Sequence, residues 1–300
     1  MLRSLLSRLP SQRKQAALQS KLDQVKEKLA NLQARHSDQK SRLAELKAQV
    51  SALKSASPLL VSDDFLGKRK FLAGTYLTGT GLEIGALHNP LPVPDHVTVR
   101  YADRFDTATA RASYPELAAF DLVEVDFVCD GETLDTVPDA SQDFVIANHV
   151  LEHCEDPIGA LLNWCRVLVR GGILFVTVPD LRYTFDFRRP ATPYAHLLVD
   201  HADGPERQNL QTYREWHTLV DVAEDPDTAA RKSAQDRINI HFHAWTQAEI
   251  LELLLNLRRE QGVPMELECA LGGGGEVVCV LRKVPVVSYD RAAAIGTGPG

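Results

Sequence analysis

Disulfide and zinc chemistry have little to work with in this chain. Its five cysteines, Cys129, Cys154, Cys165, Cys269 and Cys279, never fall into CxxC spacing. An odd, scattered set fits reduced thiols and a cytoplasmic setting rather than a disulfide frame or a zinc ribbon. Long apolar runs are also missing: none approaches the ~20 residues that cross a bilayer. The opening MLRSLLSRLP mixes arginines with leucines and has no continuous apolar centre, so it is not read as a secretory signal. The contact it could still make is with a membrane surface. No GxGxxG occurs, and none of the seven tyrosines has lysine four residues on. Those absences remove the two marks of a nicotinamide-dependent oxidoreductase on an open α/β sheet. Positive charge is scarce after residue 54: residues 1–54 carry net +8, and the rest carries net −15. An acidic main domain argues against nucleic acid as substrate.

What is present begins with a long helix. Residues 15–54 contain neither proline nor glycine and are rich in Ala, Leu, Lys, Gln and Glu. Leu18, Leu22, Val25, Leu29 and Leu32 alternate spacings of four and three. The register runs on through His36 and Gln39 to Leu43, Leu46, Val50 and Leu53. So long and narrow a stripe predicts self-association as a coiled coil, with one polar layer that sets register. Pro58 ends it. The expected organisation is a basic coiled-coil helix over 1–55, a linker and lead-in helix over 56–80, a main domain over 81–285, and a disordered tail over 286–300.

Within 81–285 strand-like and helix-like segments alternate, which predicts a mostly parallel sheet with crossover helices. The strands are expected at Leu82–Ile84, His96–Tyr101, Leu122–Val128, Phe144–Asn148 and Ile173–Val178. Helices are expected over Pro157–Val169 and, behind a capping box at Thr246 and Glu249, through about Glu260. Met265–Ala270 and Glu276–Arg282, joined by Gly272–Gly275, read as a hairpin. Residues 181–245 interrupt the alternation. They hold eight of the chain's 20 aromatic residues and five of its ten histidines, and are read as an insertion roofing a site.

The chemistry concentrates between Gly81 and Asp180. GLEIGALHNP (Gly81–Pro90) is a strand ending in a glycine turn, which lets backbone approach a ligand. Glu83 there is placed for a cationic ligand group. Asp103 follows 20 residues later, the spacing at which an acid meets ribose hydroxyls in doubly wound folds. Asp130, just after the third strand, is placed for an adenine amino group. Each acid taken singly is equally a strand-end or turn cap; three in order make the site.

The ordered set LEIGA (Leu82–Ala86), Asp103, Asp130, PDASQDFVIANHVLEHCEDP (Pro138–Pro157) and RVLVRGGILFVTVPD (Arg166–Asp180) resembles the core of the class I S-adenosylmethionine (SAM)-dependent methyltransferases. The resemblance implies an α/β fold, a doubly wound seven-stranded sheet with an antiparallel last strand, and SAM as cofactor. It implies that Glu83, Gly85 and Ala86 line the methionine end, that Asp103 holds the ribose, that Asp130 and Gly131 hold the adenine, and that Asn148 and His149 lie below the sulfonium. The family's loop has three alternating glycines, whereas here Leu87 and Asn89 follow Gly85. Similar proteins with this loop variant and an HFHAW-like segment often methylate sugars or other biosynthetic intermediates on oxygen. A small-molecule or saccharide acceptor is therefore implied.

Methyl transfer asks a protein to align the acceptor, exclude water and sometimes remove a proton. Histidine suits the last task. The candidates are His149 and His153 after the fourth strand, and His241 and His243 in INIHFHAW (Ile238–Trp245), with His149, His241 and His243 preferred. His149 and His153 would share a helical face beside Glu152; no third metal ligand is evident at a known spacing, so no metal is assigned. Two alternatives stand beside the enzyme: a non-catalytic coiled-coil assembly protein with a degenerate domain, and a nicotinamide-dependent oxidoreductase.

Overall fold

The computed structural model describes residues 65–204 and 206–285, with scattered helical positions between 21 and 42. The chain divides into two compact units, Met1–Ser62 and Asp63–Gly300. In the first unit the described positions are helical, and the seam residues Val25 and Leu29 are 61% and 54% exposed. The rest of the heptad seam and the 286–300 tail lie outside the described residues.

The second unit opens with helix α1 (Phe65–Tyr76). Strands β1 (Thr80–Ile84) and β2 (Thr98–Asp103) follow, then α2 (Thr107–Ser113), β3 (Phe127–Val128) and β4 (Gln142–Asn148). Helix α3 (Pro157–Val167) leads directly into β5 (Leu168–Pro179). Three helices come next: α4 (Tyr194–Asp203), α5 (Glu206–Leu219) and α6 (Pro226–Asp236). Helix α7 (Gln247–Glu260), β6 (Met265–Gly273) and β7 (Glu276–Lys283) complete the fold.

The strands form one seven-stranded sheet in the order β3-β2-β1-β4-β5-β7-β6. β7 is antiparallel to both β5 and β6, and the remaining pairs are parallel. This is the doubly wound sheet with an antiparallel last strand that the resemblance implies. Successive side chains of a strand point to opposite faces, and here both faces are covered. Val145 and Ala147 of β4 join one buried cluster with Leu82, Leu174 and Trp164. Phe144 and Ile146 join the other with Leu72, Leu77, Phe175 and Val280. The continuous apolar runs of β4 and β5 follow from burial on both sides. Gly81 is required where β1 meets β4, because a Cβ there would stand 2.4 Å from the Phe144 ring and carbonyl oxygen.

The capping box forms at α7: Thr246 and Glu249 satisfy each other's backbone. The third strand is a correction. Only Phe127–Val128 pair, and the stretch before them is held at single points, Val123 N–H to Leu87 O (2.8 Å) and Asp126 N–H to Tyr101 O (2.9 Å). An edge segment has a neighbour on one side only, so it need not keep a ladder along its length. A second correction concerns His149 and His153, which share no α-helical face. His149 has φ +53°, and Leu151–His153 form a single 3₁₀ turn.

Candidate active site

The carboxyl ends of β1, β2 and β4 converge on a cavity of about 300 Å³, within the size range of small-molecule sites. Ligands of open α/β sheets bind at this edge, where the strand order reverses. Here the reversal falls between β1 and β4.

Gly85 ends β1 at φ +66°, and its N–H is held by Ala102 O at 2.9 Å. A side chain at Gly85 would meet nothing closer than 3.7 Å, so the turn leaves room for a ligand against the backbone. Leu87, where the family's second glycine would stand, takes φ +50° and lines the cavity. The loop thus keeps a backbone conformation glycine favours while carrying an isobutyl group.

Asp103 lines the cavity half-buried. Its Oδ1 accepts from Phe105 N–H (3.2 Å), and burial pushes its pKa up. Asp130 Oδ1 caps its own turn by accepting from Glu132 N–H (2.7 Å) and Thr133 N–H (3.3 Å). Each acid therefore uses Oδ1 to hold its own loop. The loop after Asp130 is anchored from α3. Trp164 donates its indole N–H to Gly131 O (2.7 Å), and Arg166 reaches Thr133 O, Leu134 O and Val137 O. Glu132, also on the wall, accepts from Glu155 and Asp156 N–H; burial raises its pKa to about 7.

His149 lines the cavity with its side chain 40% exposed. Its Nε2 lies 2.9 Å from Glu276 Oε2, and its Nδ1 lies 3.4 Å from Glu152 Oε1. Glu276 is in turn held by Arg69 through two hydrogen bonds.

The remaining candidates sit elsewhere. Glu83 is buried and turned inward: its carboxylate accepts from Leu91 N–H at 3.0 and 3.1 Å and from the Asn148 amide at 3.2 Å. Burial pushes its pKa up to about 7. Asn148 passes the chain of bonds to Thr177. Ala86 faces a neighbouring crevice along β2. His241 and His243 are buried behind the wall, bonded to Asp186 (2.7 Å) and Asp200 (3.1 Å). The reading of the sequence missed Arg69, Glu276, Glu132 and Asn239. Only Glu276 carried a signal, as the charged residue that ends a glycine run and opens an apolar strand.

The seven-stranded sheet with its antiparallel last strand is the fold of the class I SAM-dependent methyltransferases. Residues 78–176 match the family model described as a methyltransferase domain. The chain carries a domain of that family; it is an enzyme that uses S-adenosyl-L-methionine. Comparison with curated proteins returns no match. Among solved structures, a SAM-dependent methyltransferase of Aquifex aeolicus is 14% identical, covering 79% of this chain and 98% of its own, with a TM-score of 0.40. One from Methanosarcina mazei is 17% identical over 70% and 95%, with a TM-score of 0.39. The N-methyltransferase NodS of Bradyrhizobium japonicum, bound to S-adenosyl-L-homocysteine, is 13% identical over 74% and 85%, with a TM-score of 0.37. Likenesses this distant say nothing about the acceptor.

Proposed function

We propose that the enzyme methylates a small-molecule or saccharide acceptor on oxygen. The observation that carries this reading is the single cavity that gathers Gly85, Asp103, Asp130 and His149. Bound SAM supplies an electrophilic methyl group and leaves as S-adenosylhomocysteine. On this reading Asp103 takes a ribose hydroxyl, and Asp130, with Gly131, takes the adenine edge. The Gly85 turn admits the methionine end. Glu276 can only accept, so it fixes the His149 tautomer with hydrogen on Nε2. His149, exposed on the cavity wall, receives the acceptor's hydroxyl proton as the acceptor oxygen bonds to the methyl carbon. His241 and His243 stand behind the wall and take no part in this step.

The test uses labelled SAM with the enzyme and a cell extract, read by mass spectrometry. A labelled O-methyl product is expected, and label on nitrogen or carbon would overturn the acceptor assignment. In parallel, Asp103→Ala should weaken SAM binding by about 10- to 100-fold in a calorimetric titration, the scale of hydrogen bonds to a charged group. Unchanged affinity would remove Asp103 from the ribose site. A folded wild type that binds no SAM at millimolar concentration would favour the non-catalytic assembly reading instead.

We also propose self-association through residues 18–53. Support comes from the heptad spacing and from the exposure of Val25 and Leu29. Deleting residues 1–55 should reduce the number of subunits measured by light scattering while SAM affinity stays constant. Equal subunit numbers for both chains would sink this reading.

A further inference from the structure

Directly behind the His149 wall lies a group of side chains that the methyl-transfer reading does not use. One donor atom from each of Glu152, His153 and His241 lies within 4.8 Å of the other two. Two of the three residues come from the turn after β4, and the third from the HFHAW segment some 90 positions later.

Three independent features of this trio are those of a metal site. The first is the orientation of both imidazoles. His241 Nδ1 lies 2.7 Å from Asp186 Oδ2, and His153 Nδ1 lies 2.9 Å from both Ile240 O and Asn239 Oδ1. All these partners are acceptors, so each Nδ1 carries the hydrogen and each Nε2 keeps its lone pair. Neither Nε2 has a hydrogen-bond partner among the described residues. A ring N–H given to a carboxylate or a backbone carbonyl, with the opposite nitrogen left free, is how metal-binding histidines are held.

The second feature is Glu152. It is fully buried, and among the described residues neither carboxylate oxygen has a hydrogen-bond partner. The His149 Nδ1 contact at 3.4 Å is within ion-pair range but makes no hydrogen bond. Leaving a buried carboxyl this bare costs on the order of 1–3 kcal/mol, and a cation among the three residues would remove that cost.

The third is the support behind His241. Asp186 is itself bonded to Arg189 (3.0 Å), and Arg189 also donates to the backbone oxygens of His241 (2.8 Å) and Phe242 (3.1 Å) and to Glu215 (2.7 Å). The ring is thus fixed from behind on the buried side.

A second trio, His196, Asp200 and His243, gives the contrast. There Asp200 Oδ2 already meets His243 Nε2 at 3.1 Å and His196 Nε2 at 3.2 Å. The protein itself supplies the partners, and the carboxylate is not left bare.

We propose that Glu152, His153 and His241 bind a divalent transition-metal ion of the Zn²⁺ class. A two-histidine, one-carboxylate set suits Zn²⁺ and its neighbours and leaves coordination positions open. Donor atoms of a filled tetrahedral site with bonds of 2.0–2.1 Å stand about 3.3 Å apart, so small side-chain rotations close the trio. His153 also lines the cavity, which places the ion against the space left for the acceptor. A polar oxygen of the acceptor is the ligand chemistry that its open positions take.

The experiment reads metal content and so does not depend on SAM binding or turnover. The full chain is stripped with a chelator, dialysed and titrated with Zn²⁺ against a chromophoric competitor. One Zn²⁺ per chain is expected, with a rise in Tm on loading. Asp186→Asn should weaken Zn²⁺ by about 10- to 100-fold, the usual effect of losing a supporting carboxylate. His241→Asn and Glu152→Gln should weaken it further, while His196→Asn leaves it unchanged. Co²⁺ loaded into the wild type should give visible ligand-field absorption that Zn²⁺ displaces, a readout that needs no variant to fold. A wild type that retains no Zn²⁺ and shows no Co²⁺ absorption overturns the proposal. So does Zn²⁺ binding that is lost in His196→Asn but intact in His241→Asn. If methyl transfer to oxygen fails its own test while Zn²⁺ binds as described, the site stands and the acceptor assignment falls.

Discussion

Arg69→Met will cost about 3–5 kcal/mol of stability, the effect of removing one partner from a buried ion pair. For a domain of this size that is a fall in Tm of about 10 °C. Arg69 and Glu276 are both buried, and the guanidinium meets both carboxylate oxygens. Methionine keeps the apolar stem but leaves Glu276 without its cation in a dry setting. The pair joins α1 to the first residue of β7, and Glu276 also holds His149. The loss should therefore reach the cavity as well as the core. Arg69→Met with Glu276→Gln removes both charges, and the double variant should recover part of the lost stability. Thermal unfolding of the three proteins decides the matter. A single variant within 1 kcal/mol of wild type would mean that the pair is stabilised no better than a surface one.

Glu83→Gln will flatten the pH dependence of stability. Burial lifts the Glu83 carboxyl from 4.5 to about 7, partly offset by Leu91 N–H, the Asn148 amide and the charge of Arg69. The folded protein then binds a proton that the unfolded chain releases at lower pH. The sign follows: the contribution of this group is fully present below about pH 4.5 and is lost as pH rises through about 7. Its span is on the order of 3 kcal/mol at 1.36 kcal/mol per pKa unit. Glutamine accepts from Leu91 but cannot ionise. Other carboxyls raised by burial, such as Glu132, remain in both proteins. The difference between wild type and variant across pH 5 to 8 thus isolates Glu83. Parallel Tm curves over that window would show that Glu83 ionises in the folded chain as it does in water.

The two predictions bear on residues that the order of amino acids presents very differently. Glu83, Gly85, Asp103 and Asp130 were legible because each ends a strand, and strand ends of a parallel sheet share one edge. Periodicity and spacing suffice to gather them. What Glu83 does there was not legible. A strand-end acid that faces solvent and one that turns back to its own loop read alike, and only packing against Leu91 and Asn148 separates them. Arg69 had no motif at all. It lies 207 positions from its partner, and no local pattern links a helix before the first strand to the start of the last. The same holds for His241 and His153, which meet edge to ring at 4.7 Å only because the 181–245 segment folds back on the β4 turn.

The alternating sheet and its terminal hairpin follow from the chain alone, by local rules: alternation along buried strands, glycine at the turn, acids at the carboxyl edge, and a glycine-rich connection. The antiparallel last strand and the methyl donor follow from the resemblance that the ordered motifs carry. The tertiary structure decided which charged groups face the cavity and which are buried behind it. That outcome depends on desolvation and on partners distant in sequence, and neither has a period that a one-dimensional pattern can carry.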